Sequence, residues 1–271
     1  MNILKKVINK IKGKLGLLSL VEFKGDYNSW QEAEKHAKGY DSDEIFEKVK
    51  EAALKVKNGE ACYERDTWLY FEEEYNYPLL FNMLNDKNEY RVLDWGGATG
   101  STYFQNVKVL KNMSKNLYWL VIEQPHFAKW GQSNLADDYL QFMDNGVCTE
   151  EIIKNKKINI VILSSVLQYL DFSDSLIEEL VKSGVEKIIL ERTPVGERDR
   201  IMVERVKEPI YNASYVAHVF EENKLLNMFK GYKLVASWKS LVDEDIINKN
   251  KKIASFKSFV FEKSGIVGKN G

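Results

Sequence analysis

The sequence predicts an α/β protein built on a mostly parallel sheet, and three observations carry that expectation. From residue 90 onward, short apolar runs recur as "RVLDW", "NLYWLVIEQ", "INIVILSSV" and "VEKIILERT", without alternation of polar and apolar residues. Continuous runs of this kind are strands covered on both faces. Helix-length segments separate them, so the repeating unit is βα. The first run then opens into "DWGGATGST", with Gly96, Gly97 and Gly100 close together, where the backbone turns tightly or meets a ligand.

Taken in order, residues 1–22 stand apart by charge. Ile3, Leu4, Val7, Ile8, Ile11 and Leu15 share one helical face, while Lys5, Lys6, Lys10, Lys12 and Lys14 fill the rest with no acid before Glu22. This pattern suits either a helix packed on its own domain or one lying on an anionic membrane surface, and peripheral membrane contact through residues 1–20 is the partner it suggests. Residues 23–89 read as a helical extension or cap of two or three helices, one beginning near Glu44 behind a cap at Asp41 or Ser42 and stopping at Asn58-Gly59. Residues 90–271 form the main domain. Within it, 194–218 shows neither helical nor strand period and holds two of the four prolines, so it reads as an insertion or lid. "YKLVASWKS" and "FKSFVFEKS", joined by a polar loop, read as an antiparallel pair at one edge of the sheet.

Composition excludes several classes. The 39 basic and 40 acidic residues nearly balance, so no general attraction to nucleic acid follows. Cys62 and Cys148 form no metal-binding spacing and the three histidines are scattered, which predicts no metal site, no disulfide framework and a cytoplasmic setting. No apolar stretch approaches the roughly 20 residues needed to span a bilayer.

The turn decides among nucleotide-type ligands. A phosphate-binding loop needs a lysine followed by Ser or Thr, which "GGATGST" lacks, and a dinucleotide G-x-G-x-x-G fails at Ala98 and Ser101 or at Thr99 and Thr102. What remains is an acid, Asp94, two residues before the first glycine, which repels pyrophosphate and favours an ammonium. Asp94-Trp95-Gly96-Gly97-Ala98-Thr99-Gly100 resembles the D-x-G-x-G-x-G loop of class I S-adenosylmethionine-dependent methyltransferases, with alanine in place of the middle glycine. The resemblance implies a Rossmann-like sheet with an antiparallel seventh strand beside the sixth, and S-adenosylmethionine (SAM) as cofactor. It assigns Asp94, Gly96, Gly97 and Gly100 to the methionine part and Glu123, 29 residues on at the next strand end and followed by Gln124, to the ribose hydroxyls. Ser164 and Ser165 stand at the fourth-strand position that passes the cofactor, where a metal-dependent member would often carry an acid.

Further phrases, "SWQEAEKHAKGYD", "GEACYERD", "VIEQPHF", "LSSVLQYL" and "ERTPVGERDR", resemble a family of methyltransferases from bacterial surface-polysaccharide (O-antigen and capsule) loci over about residues 27–237. That resemblance implies a sugar acceptor, free, nucleotide-linked or lipid-linked. His218 is the first candidate for a general base, with Glu64 or Asp66 as the alternative. Arg65 is a candidate for the cofactor carboxylate, and Arg192, Asp199 and Arg200 are candidates for gripping a sugar or its phosphate. An amine or carboxylate acceptor, or a non-catalytic scaffold at the membrane, are the competing readings.

Overall fold

The computed structural model describes residues 21–38, 43–65, 67–207, 213–240, 243, 245–248 and 251–265. The basic segment 1–20 and Asp66 lie outside the described residues.

The N-terminal part holds β1 (Val21–Tyr27), α1 (Trp30–Glu34), α2 (Asp43–Lys57), a hairpin of β2 (Tyr63–Arg65) and β3 (Trp68–Tyr70), and α3 (Tyr77–Met83). It is therefore not helical throughout: a strand and a hairpin stand where the sequence suggests only helices. β2 and β3 are too short to show a period of two, and β1 carries Gly25 at φ +80, which masks its strand character. Next come β4 (Glu89–Trp95), α4 (Ser101–Met113), β5 (Asn116–Glu123), α5 (Pro125–Asn134), β6 (Leu140–Asp144), α6 (Thr149–Asn155), β7 (Ile160–Ser164), α7 (Ser173–Ser183) and β8 (Lys187–Gly196). The chain ends with β9 (Arg200–Val206), β10 (Ala213–Glu221), α8 (Glu222–Met228), β11 (Tyr232–Lys239), β12 (Ile246–Asn248) and β13 (Lys251–Lys263).

Across the core the strand order is β6-β5-β4-β7-β8-β13-β11. β4 to β8 pair in parallel, and β13 is antiparallel to both β8 and β11. This is a Rossmann-like sheet, with an antiparallel strand between β8 and β11 as the sequence resemblance implies. Its apolar strands lack alternation because both faces are covered. Leu93, Leu120, Val161 and Leu190 pack with Ile152, Ile177 and Leu180 of α6 and α7, while Val92, Val121, Ile162 and Ile189 pack with Leu79, Tyr103 and Leu110 of α3 and α4.

A further expectation is corrected. The described residues of 194–218 form strands and not an irregular lid: β8 continues to Gly196, and β9 and β10 form an antiparallel ladder that β1 extends. Consecutive residues Met202, Val203 and Glu204 are buried, so the strand period is hidden. Between β7 and α7, "VLQYL" makes a single 3-10 turn, Leu167–Tyr169, before α7 starts at Ser173.

Candidate functional site

The chain leaves β4 for β5 and β6 on one side and returns to β7 on the other, so the strand order reverses at the C-terminal end of β4. In open α/β sheets ligands bind in the crevice at such a reversal. The glycine turn lies there.

Asp94 closes β4 on the face shared with α4 and is fully buried. Trp119 Nε1 donates to its Oδ2 at 3.2 Å, while Oδ1 has no hydrogen-bond partner among the described residues. Burial pushes its pKa up to about 7, the Trp119 bond opposes this, and Glu191 and Glu123 raise it further. The glycines are needed for close approach. A Cβ on Gly97 would stand 2.6 Å from Asp94 Cγ, and one on Gly96, at φ +72, would stand 2.2 Å from Val166 Cγ2. Gly100, at φ +82, is the N-cap of α4.

Glu123 ends β5, and the amides of Ala98 and Gln124 donate to its carboxylate, the latter at 2.6 Å. Burial raises its pKa against those bonds. Gln124 is the N-cap of α5. Ser164 ends β7 in register with Glu191 and hydrogen-bonds its side chain. Ser165, at φ +55, donates its amide to the Glu191 carbonyl at 2.9 Å and accepts from Gln168 Nε2 at 3.1 Å.

The N-terminal part supplies a wall. Glu64 on β2 is buried and accepts the hydroxyls of Thr99, at 3.0 Å, and Ser101. Arg65 donates to Gln105 at 2.8 Å, and its charge acts on Glu191. Asn76, the N-cap of α3, donates to Glu191 Oε1 at 2.9 Å. The turn is thus surrounded by Glu64, Asp94, Glu123 and Glu191, with Arg65 as a nearby cation.

Glu191 was missed in the sequence, where Arg192 beside it drew attention. The two are separated by a bulge. Leu190 pairs with Phe259 and Thr193 with Lys257, so Glu191 and Arg192 together face Ser258, and Arg192 adopts φ +53. The bulge sends Glu191 toward Asn76 and Arg65, while the Arg192 guanidinium makes a two-pronged pair with Asp243, both contacts at 2.9 Å. A carboxylate at a strand end, next to serines on the preceding strand, was the available signal for Glu191. Asn76 and Thr99 offered none.

His218, on β10, stands elsewhere in the contact network. Its Nε2 lies 3.3 Å from Asp199 Oδ1, which also accepts the Glu221 amide, while Asp199 Oδ2 accepts from Lys224 Nζ. Burial lowers the His218 pKa, and Asp199 works against this. Arg200 pairs with Asp26. Among the described residues, no group of three or more His, Cys, Asp or Glu is arranged to hold a metal ion, and no helix is long and apolar enough to cross a membrane.

No protein-family model matches the sequence, and no curated protein does. Similar solved structures include the N-terminal domain of EvdMO1 with S-adenosylhomocysteine (SAH) and D-fucose, 10% identical over 79% of this chain and 96% of that one, at a TM-score of 0.47. An S-adenosylmethionine-dependent methyltransferase from Mesorhizobium loti is 10% identical over 68% of this chain and 96% of its own, at 0.43. LepI in complex with SAM is 11% identical over 69% of this chain at 0.43, and the match spans 46% of the LepI chain. Similarity of this size concerns the course of the chain alone.

Proposed function

We propose that this protein is a SAM-dependent methyltransferase that O-methylates a sugar in bacterial surface-polysaccharide assembly, working in the cytoplasm at the inner face of the membrane. The observation that carries the cofactor is Asp94, a fully buried carboxylate with one unpartnered oxygen, in a glycine turn at the strand-order reversal. A buried acid flanked by further acids is completed by a ligand that brings positive charge and hydrogen-bond donors, and it opposes phosphate. The sugar acceptor is supported by the phrases shared with the surface-polysaccharide family, and the membrane setting by the basic face of residues 1–20.

When bound, the cofactor supplies a sulfonium methyl group, and the O–CH3 bond forms as the S–CH3 bond breaks. The chain mainly orients the acceptor and excludes water. Asp94 would hold the cofactor's ammonium, Glu123 its ribose hydroxyls and Arg65 its carboxylate. His218, outside that group of acids, is the candidate base that would take the hydroxyl proton of an acceptor reaching β10. Its lowered pKa keeps the imidazole neutral at pH 7, and with Nε2–H donating to Asp199, Nδ1 is the accepting nitrogen. Asp199 then stabilises the imidazolium that forms.

Calorimetric titration with SAM and SAH, beside ATP and NAD, tests the cofactor: binding of the first pair alone supports it, and preference for either nucleotide overturns it. Replacing His218 by alanine is expected to lower turnover on a sugar acceptor by about 100-fold or more while leaving SAM affinity in place; an unchanged rate removes His218 from the mechanism. Deleting residues 1–20 is expected to abolish co-sedimentation with anionic vesicles, and equal sedimentation of both forms would refute the membrane contact.

A further inference from the structure

Glu64 is distant from the turn in sequence yet built into it. The helix that follows the turn, α4, has no acid in its first turn, and its N-cap Gly100 offers no side-chain hydrogen bond. None of the helix's own side chains therefore answers the partial positive charge of its first amides. Glu64 arrives from the β2–β3 hairpin, is only 4% exposed, and takes the hydroxyls of Thr99 and Ser101, the residues on either side of Gly100. A carboxylate so held is an anion fixed at a helix N-terminus, the place where a nucleotide phosphate binds in other glycine-turn proteins.

We propose that Glu64 is a specificity-determining residue of the turn: its carboxylate holds the anion position at the start of α4 and restricts the site to ligands without phosphate. A second feature of the same turn points to a ligand of opposite character. Asp94, fully buried, keeps one oxygen without a donor, so the site has an open place for a cation beside a filled place for an anion. The proposal rests on the cofactor reading above and deepens it. It gives the N-terminal hairpin a part in choosing the cofactor.

The test titrates inorganic pyrophosphate into the wild-type chain and into Glu64→Gln, which keeps an oxygen for Thr99 and Ser101 but removes the charge. Pyrophosphate is expected to bind Glu64→Gln at least about tenfold more tightly than wild type, since removing a like charge a few ångströms away lifts a large repulsion. Equal affinity in the two chains overturns the proposal. Amide hydrogen exchange on the wild type gives an answer even if the variant fails to fold: pyrophosphate is expected to leave the amides of residues 101–103 unprotected, and protection there overturns the proposal. A parallel titration of the wild type with SAH keeps the two readings apart. Absence of SAH binding sinks the cofactor assignment, whereas the pyrophosphate comparison is read without it.

Discussion

Replacing Asp94 by asparagine is expected to abolish SAM binding and, at pH 8, to make the ligand-free protein more stable. The two effects share one cause. Asp94 is fully buried, and its pKa rises from an ordinary 3.8 to about 7 because burial disfavours the charge, with Glu191 and Glu123 adding to the shift. Between those values the folded chain binds more protons than the unfolded one, so stability falls as pH rises from about 4 to about 7 and is level above that. A rise of about three units corresponds to about 4 kcal/mol at most. Asparagine carries no charge at any of these pH values, and its side-chain oxygen still accepts from Trp119. Thermal unfolding of both chains from pH 4 to pH 8 checks the prediction: the curves should nearly meet at pH 4 and separate toward pH 8, with the variant higher. Curves that stay parallel would show that Asp94 ionises without cost. For the wild type the same linkage makes a cationic ligand bind more tightly as pH rises toward 7, because binding selects the ionised carboxylate.

Gly97→Ala is expected to weaken SAM binding by about 100-fold and to lower stability by about 1–3 kcal/mol, the usual cost of an overpacked site. A Cβ at this position would lie 2.6 Å from Asp94 Cγ and 2.7 Å from Oδ2, so the carboxylate must move off its Trp119 bond. Backbone conformation is not the obstacle, since Gly97, unlike Gly96 and Gly100, is not at positive φ. The substitution therefore reports on the acid's position alone. Calorimetry with SAM, beside urea unfolding, separates the two losses; full SAM affinity with only a stability loss would show that the placement of Asp94 does not matter for the ligand.

Parts of the site were legible because strand ends are legible. "RVLDW", "YWLVIEQ" and "INIVILSS" each carry a polar residue at or next to the end of the run, and in a parallel sheet those ends share one edge, which places Asp94, Glu123, Ser164 and Ser165 around one crevice. The same logic failed at "IILERT". There, a bulge gives Glu191 and Arg192 opposite destinations, and the residue that joins the crevice is the acid. The region after β8 went unread for a related reason: β9 and β10 are covered on both faces yet interrupted by charges, so neither period appears.

The sequence by itself determined the α/β class, the order of the core strands' apolar runs and the acid-plus-glycine turn, since each depends on residues within a few positions of one another. Only the tertiary structure decided which charges share the crevice. Thr99 meets Glu64 across 35 residues and Asn76 meets Glu191 across 115. Contacts over such separations arise from packing α3 on one face of the sheet and the β2–β3 hairpin against α4, and no local period of apolar residues records which polar side chains that packing brings together.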